Sequence, residues 1–95
     1  MPYKLSFLKK AKKEWDKLDT SIKKQFKKKL KERLITPRVP HDKLSGFEDV
    51  YKIKLRSAGF RLAYEVRDEK VIIVVLSVGK RENDKVYDAL RKRVS

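Results

Sequence analysis

Residues 51–64 read YKIKLRSAGFRLAY, and apolar and basic residues alternate on both sides of a short Ser-Ala-Gly segment. Strict alternation with a period of two residues is typical of a half-buried strand, so this stretch predicts a β-hairpin. A four-residue turn places Leu55 opposite Phe60 and Lys54 opposite Arg61. Six side chains of the hairpin then face a core: Tyr51, Ile53, Leu55, Phe60, Leu62 and Tyr64.

The opposite face of the predicted hairpin carries three cations, Lys52, Lys54 and Arg61. Like charges that face each other across two strands destabilise a sheet by about a few tenths of a kcal/mol. Folding alone does not favour this arrangement, whereas a bound polyanion would, and a phosphate that gains charge in a transition state would benefit more. The alternative from the hairpin alone is a solvated basic face on a chain that is basic throughout.

Length and composition limit the possible functions. The 95 residues fit a single domain, residues 1–95, and 27 Lys and Arg against 13 Asp and Glu give a net charge of +14, which attracts nucleic acid or an acidic protein. The absence of cysteine and the single histidine, His41, leave no disulfide and almost no metal site, so no cofactor is expected. His41 is predicted to be an exposed loop residue. The longest apolar run, residues 71–76, is too short to cross a bilayer, and a cytosolic protein is expected.

The N-terminal half predicts a strand followed by two helices. Residues 3–7 alternate, and apolar residues then recur at helical spacing in two stripes, the first formed by Leu8, Ala11, Trp15 and Leu18 and the second by Ile22, Phe26, Leu30 and Leu34. Residues 19–21 offer N-caps for the second helix. Prolines at 37 and 40 end the helical region, so residues 36–49 form a loop in which Gly46 marks the tightest turn.

The C-terminal half predicts the hairpin, a tight turn at Asp68-Glu69, and a further strand in the apolar run 71–76. That run does not alternate, which is typical of a central strand covered on both faces or lying beneath a cleft. Residues 86–94 predict a short final helix. The expected fold is α+β, with element order β-α-α-β-β-β-α: an antiparallel sheet of about four strands, packed by a two-helix hairpin.

The predicted helices are strongly basic, with 12 basic and 4 acidic residues between positions 9 and 33. Long lysine stems that cover apolar neighbours are the simplest explanation of such a surface. The alternative is a docking surface for an RNA-rich assembly, where many phosphate contacts add up to salt-dependent affinity. The two interpretations are compatible.

A site built only from Lys, Arg and Tyr can cleave RNA, because the ribose supplies the 2′-OH as its own nucleophile. The protein must align that hydroxyl, stabilise the charged phosphorane and ease the proton transfers. Lys52, Lys54 and Arg61 suit the electrostatic task. Arg81 suits stabilisation of the leaving 5′-oxygen, and Tyr87 suits stacking on a base or activation of the hydroxyl.

Over nearly its full length the chain resembles the RelE toxins of bacterial toxin-antitoxin pairs. The resemblance is carried by Trp15 within lysine-rich helices and by four further segments: Lys43-Leu44-Ser45-Gly46, Tyr51 to Ser57, Gly59 to Tyr64, and Val78-Gly79-Lys80-Arg81 with Val86-Tyr87. It implies a microbial-ribonuclease-like fold and a toxin that enters the ribosomal A site and cuts the mRNA codon there, leaving a 2′,3′-cyclic phosphate and a 5′-hydroxyl.

The resemblance also implies which residues act and which partners bind. The family's catalytic residues fall on Lys52, Lys54, Arg61, Arg81 and Tyr87, with no metal or cofactor. Lys52 or Lys54, aided by Tyr87, is the candidate general base, and clustering with other cations would lower a lysine pKa from about 10.4. Ser45 departs from the arginine that relatives often have, so no phosphate contact is implied there. The implied partners are an acidic RelB-like antitoxin, the ribosome with its mRNA, and operator DNA bound only through the antitoxin.

Two other functions are compatible with the sequence. The ParE branch of the same superfamily has a similar fold and poisons DNA gyrase, but it generally lacks the full basic-plus-tyrosine set. A non-catalytic RNA-binding or ribosome-associated module would explain the basic helices, but it would need no particular arrangement of Lys54, Arg61 and Tyr87.

Overall fold

The computed structural model describes residues 2–80 of the chain. Their elements are β1 (Lys4–Phe7), α1 (Lys9–Asp16), α2 (Thr20–Ile35), β2 (Val50–Leu55), β3 (Phe60–Arg67) and β4 (Ile72–Lys80), with short 3₁₀ turns at Pro40–Asp42 and Asp68–Lys70. The α+β class and the order of these elements match the prediction. The predicted final helix lies outside the described residues. No helix within residues 2–80 is long and apolar enough to cross a bilayer.

The four strands form one sheet in the order β1-β4-β3-β2. The β2–β3 and β3–β4 pairs are antiparallel, whereas β1 runs parallel to β4, with Leu5 opposite Ile73 and Phe7 opposite Val75. The prediction of an antiparallel sheet was therefore wrong for this one pair. Alternation within a segment reveals a strand but not its direction relative to a strand more than 60 residues away, and a parallel pair needs the long connection that this chain supplies.

The central hairpin has the predicted register. Leu55 pairs with Phe60, Lys54 with Arg61, and Gly59 closes the turn by donating its backbone N–H to the Leu55 carbonyl over 2.8 Å. Gly59 has a φ of +71°, a left-handed conformation that glycine adopts without strain. The alternation of the sequence therefore becomes a sheet with one apolar and one basic face at this end.

The main core lies between the sheet and the two helices. Tyr51, Ile53, Leu55, Leu62 and Tyr64 from the hairpin are buried there, against a stripe that includes Ala11, Trp15, Ile22, Phe26 and Leu30. A smaller apolar cluster covers part of the outer face and contains Leu44, Val50, Ala63, Val74 and Leu76. Consecutive residues of β4 thus alternate between two buried faces, which confirms the prediction of a central strand.

The helix ends and the loop differ only in detail from expectation. Asp19 is the N-cap of α2, but its side chain makes no capping hydrogen bond. Gly46 has a φ of +84°, as expected for the tightest turn of the loop. The predicted turn at residues 68 and 69 is a 3₁₀ turn that ends at Val71, which has an uncommon φ of +52°.

A charged network ties the loop to the end of the sheet opposite the hairpin turn. Arg38 Nη1 and Nη2 donate to the two carboxylate oxygens of Asp68 over 3.0 and 2.9 Å, and Tyr3 donates its hydroxyl to the same carboxylate over 2.7 Å. Arg38 also contacts Asp49 over 3.2 Å. The hydrogen bonds from Arg38 and then Tyr3 lower the pKa of Asp68 below its ordinary 3.8. Three segments of the chain are therefore joined at one carboxylate.

Replacing Asp68 by Asn should lower the stability of the protein at neutral pH, because the charge-assisted bonds from Arg38 are weakened. Because folding lowers the pKa of Asp68, its carboxylate contributes fully to the stability of the fold at a pH above the ordinary pKa of 3.8. This contribution is lost as the pH falls through the lowered pKa. Urea unfolding of both proteins across this range should show the difference in midpoint shrinking on acidification. A difference that does not change with pH would contradict this role.

Candidate active site

The three predicted cations of the hairpin lie together on the outer face of the sheet. Lys54 on β2 is directly opposite Arg61 on β3, while Lys52 is opposite Ala63. Side chains directly opposed in an antiparallel pair have Cβ atoms about 4.5–5.5 Å apart. All three cations are half-buried, so their charges are held close to the sheet. The structure therefore brings Lys52, Lys54 and Arg61 into one cluster, hereafter the basic cluster.

Within residues 2–80, the apolar cover of this face stops short of the basic cluster. Val50 and Ala63, which belong to the smaller apolar cluster, lie two residues from Lys52 and from Arg61 respectively. Residues two apart on a strand share a face, so the basic cluster begins where the apolar cover ends. Packing of this apolar cluster fixes the strand backbone that carries the cations.

The neighbouring strand places a glycine beside Arg61. On β4, Gly79 pairs with Arg61, so no side chain from that position covers the guanidinium, and Lys80 pairs with Phe60. Glycine in a strand often marks a place where another group approaches closely. The other two predicted site residues, Arg81 and Tyr87, lie outside the described residues.

An open cleft of about 220 Å³ runs along the outer edge of β2, hereafter the edge cleft. Lys52 and Lys54 belong to both the basic cluster and this cleft. Five cations and one carboxylate are among its lining residues: Lys29, Arg33, His41, Asp42, Lys52, Ile53, Lys54 and Arg56. The side chain of His41 is 86% exposed, as predicted for a loop residue.

Arg33 connects α2 to the loop and to the edge of β2. Its Nη1 donates to the Tyr64 hydroxyl over 2.9 Å and to the Lys52 carbonyl over 3.3 Å, and its Nη2 donates to Asp42 Oδ2 over 2.6 Å. The Tyr64 hydroxyl in turn donates to the Pro37 carbonyl over 2.7 Å. These bonds hold the backbone of β2 beside the first lysine of the basic cluster.

Arg33 and Tyr64 both keep their protons at ordinary pH. Burial lowers the pKa of Arg33, but the hydrogen bonds to Tyr64 and Asp42 outweigh it and the net pKa is raised. Burial, above all, raises the pKa of Tyr64, so its hydroxyl keeps the proton that it donates. The network is therefore a fixed ion pair with a neutral phenol.

The edge cleft and the Arg33 network were not predicted from the sequence. Two signals were present: Lys29 and Arg33 are four residues apart and so share one side of a helix, and a buried tyrosine hydroxyl such as that of Tyr64 needs a partner. Neither signal identifies Asp42, a loop residue, as the ion-pair partner of Arg33. Among residues 2–80, no three His, Cys, Asp or Glu side chains are grouped so that they could hold a metal ion.

Comparison with known proteins places the chain among bacterial toxins. Residues 5–85 match the family model described as the ParE toxin of the type II toxin-antitoxin system parDE. The chain is 53% identical over 94 residues to the mRNA interferase toxin RelE of Escherichia coli strain K12, and the match covers 99% of both chains.

Solved structures give the same result for the fold. A variant of Escherichia coli toxin RelE in the free state, with two arginines replaced by alanine, is 52% identical, covers 100% of both chains and has a TM-score of 0.92. The toxin in the intact Escherichia coli RelBE toxin-antitoxin complex is 54% identical over 85% of this chain and 99% of that one, with a TM-score of 0.82.

Replacing Arg33 by Met should lower the free energy of unfolding by about 1–3 kcal/mol, because Asp42 and Tyr64 lose a half-buried partner. Adding Asp42→Asn should cost less than the sum of the two single changes, with a coupling energy of about 1 kcal/mol or more. Urea unfolding of the four proteins measures this coupling.

The exposed ion pair Lys12–Asp16 provides the control. Its Nζ and Oδ1 atoms are 3.1 Å apart, and its side chains are 55% and 59% exposed. Its coupling energy should be about 0.5 kcal/mol or less. Equal coupling energies for the two pairs would show that Arg33 does not join these elements as described.

Proposed function

Because this chain belongs to the RelE toxins within the RelE/ParE superfamily of type II toxins, we propose that it is a ribosome-dependent mRNA endonuclease. It cuts the mRNA codon in the ribosomal A site and so inhibits translation. The observation that carries this proposal is the direct opposition of Lys54 and Arg61, with Lys52 beside them, on the outer face of the sheet. Like charges directly opposed in a sheet repel each other, and a bound phosphate would favour this arrangement.

The proposed reaction needs only groups of the RNA and of the protein. The 2′-oxygen of a ribose attacks the adjacent phosphorus, the O2′–P bond forms and the P–O5′ bond breaks. The products are a 2′,3′-cyclic phosphate and a 5′-hydroxyl. The proton of the 2′-OH passes to a general base, and a proton is delivered to the leaving 5′-oxygen.

The roles of the residues follow from this scheme. Arg61 neutralises the negative oxygens of the phosphorane, whose charge exceeds that of the starting phosphate, together with whichever of Lys52 and Lys54 stays protonated. The other lysine takes the proton from the 2′-OH. Tyr87 either stacks on a base or helps to activate this hydroxyl. Arg81 stabilises the leaving oxygen. The roles of Arg81 and Tyr87 rest on the sequence, because both lie outside the described residues.

The ribosome supplies what this set of residues lacks. None of the five proposed residues is a histidine, so efficient cleavage depends on an RNA that is already held in the right geometry. An A-site codon fixed by the ribosome meets that requirement, and the basic surfaces of α1 and α2 suit docking on ribosomal RNA. We therefore expect poor cleavage of free RNA and action in the cytoplasm.

The proposed regulator is an antitoxin whose toxin-binding segment is acidic. The Escherichia coli relative is known in an intact toxin-antitoxin complex with RelB, and the +14 charge of this chain suits an acidic partner. In the proposed pair the antitoxin covers the basic surface and contacts the operator DNA. The toxin reaches DNA only through that complex.

Replacing Arg61 by Ala should slow cleavage on ribosomes by about 100-fold, because one group that stabilises the phosphorane is lost. Ribosome binding should be nearly unchanged, since it depends on many phosphate contacts. Single-turnover cleavage of an mRNA with an empty A site, measured beside co-sedimentation with ribosomes, separates the two effects.

Arg67→Ala is a matched control, because it removes the same charge from the same strand and costs only a partly exposed pair with Glu65. It should cut within about two-fold of the original protein. Similar rates for the Arg61 and Arg67 variants would show that the basic cluster is not the catalytic site.

A second candidate function is poisoning of DNA gyrase, and the match to a ParE family model is the observation that favours it. The presence of Lys52, Lys54 and Arg61 in one cluster argues for RNA cleavage instead. At concentrations that stop translation in a cell-free system, the protein should leave gyrase supercoiling unchanged. Inhibition of supercoiling at those concentrations would favour the gyrase-directed function.

A further inference from the structure

We propose that the edge cleft is a second phosphate-binding subsite, which holds the RNA backbone phosphate next to the one that is cut. The inference rests on the proposed function, since it takes the same RNA strand as ligand. The cleft shares Lys52 and Lys54 with the basic cluster, and the inference concerns the cations that it adds to them: Lys29 and Arg56 at the rim and Arg33 in the wall.

The charge of the cleft suits a phosphate. Five of its lining residues are cations, and its one carboxylate, Asp42, is already bound by Arg33 over 2.6 Å. The ion pairs formed within residues 2–80 do not include Lys29 or Arg56. The positive charge at the rim is therefore not neutralised by this part of the protein, and a phosphate would neutralise it through charge-assisted hydrogen bonds.

The size and rigidity of the cleft suit a small group. Its volume of about 220 Å³ is below the roughly 300–1,000 Å³ of pockets that enclose drug-sized ligands. Arg33 is fixed by bonds to Asp42, Tyr64 and the Lys52 carbonyl, so one wall is already ordered before a ligand binds. A preorganised wall lowers the entropic cost of binding.

The position of the cleft relative to the basic cluster points to a continuous strand of RNA. Lys52 and Lys54 line the cleft and also form the cluster with Arg61, which lies one strand further into the sheet. Neighbouring strands are about 4.8 Å apart, so the two sites are adjacent. An RNA strand bound at Arg61 and crossing β2 would bring its next phosphate to the edge cleft.

The backbone of β2 argues against a peptide strand as the occupant. The Val50 carbonyl accepts the Leu44 N–H over 2.9 Å, and the Lys52 carbonyl accepts Arg33. Pairing of a peptide with a sheet edge requires a row of available backbone groups. Because these two carbonyls are already bonded, side-chain charge is the main attraction that this edge offers.

The test is binding of a 2′-O-methyl RNA trinucleotide, which cannot be cut, to the full chain free of antitoxin, followed by NMR. Amide shifts should include His41 and Ile53 at the edge cleft. Lys29→Gln combined with Arg56→Gln should weaken binding about five-fold, and should reduce the slope of log K against log salt by about 0.7, the value for one phosphate of a single strand. The matched control, Lys4→Gln with Lys70→Gln at the end of the sheet opposite the hairpin turn, removes the same charge and should change affinity by less than about two-fold.

A second probe identifies the phosphate itself. A trinucleotide with one neutral methylphosphonate linkage at the subsite should bind the original protein about five-fold more weakly than the charged trinucleotide does. The Lys29/Arg56 variant should bind the neutral and the charged trinucleotide equally well. Equal losses from the two variant pairs, or equal effects of the neutral linkage on both proteins, would overturn the proposal. Binding of an acidic peptide to the cleft, without binding of the trinucleotide, would also overturn the proposal, since the ligand would then be a protein.

Failure of this inference can be told apart from failure of the proposed function. If the original protein cuts ribosome-bound mRNA but the Lys29/Arg56 variant binds the trinucleotide as tightly as the original does, the subsite alone is overturned. Cleft-dependent binding of the probe by a protein that never cuts mRNA would overturn the proposed function and support the phosphate site.

Discussion

The register of the β2–β3 hairpin, which pairs Lys54 with Arg61, is the constraint on which the rest of the structure depends. The period of a strand is two residues, so a slip of one residue in this hairpin would move every apolar side chain to the outer face and every cation into the core. Burial of Ile53, Leu55 and Leu62 against the helices therefore fixes the register. The cations are opposed because the core requires it.

Two kinds of arginine follow from this arrangement. Arg33 lies on the helix side of the sheet edge, where Asp42 balances its charge and Tyr64 and the Lys52 carbonyl accept its remaining hydrogen bonds. Arg61 lies on the outer face beside two lysines, where a bound anion would be favourable. The first arginine stabilises the strand that carries the lysines, and the second is the one proposed to stabilise the phosphorane. In the proposed function, the Arg33 network maintains the geometry of the basic cluster.

The parts of the fold that follow local rules could be predicted from the sequence. Alternation gave the hairpin and its register, helical spacing gave α1 and α2, and the unbroken apolar run gave a strand covered on both faces. The direction of β1 relative to β4 could not be predicted, because it depends on how distant segments pack. For the same reason the contacts of Arg33 with Asp42 and of Arg38 with Asp68 were missed: each joins segments through a loop whose course no local pattern describes. Of the predicted site, Lys52, Lys54 and Arg61 are brought together, Arg81 and Tyr87 lie outside the described residues, and the catalytic roles of all five stay predictions.

In the proposed function, this chain cuts mRNA only when the ribosome presents it. The most direct measurement is to add the purified protein, free of antitoxin, to ribosomes stalled on a defined mRNA with an empty A site, and to map the RNA ends beside the same mRNA without ribosomes. A cut within the A-site codon, seen only with ribosomes and leaving a 2′,3′-cyclic phosphate, is the predicted result. No new RNA end in either reaction, from protein shown to be folded, would contradict the account.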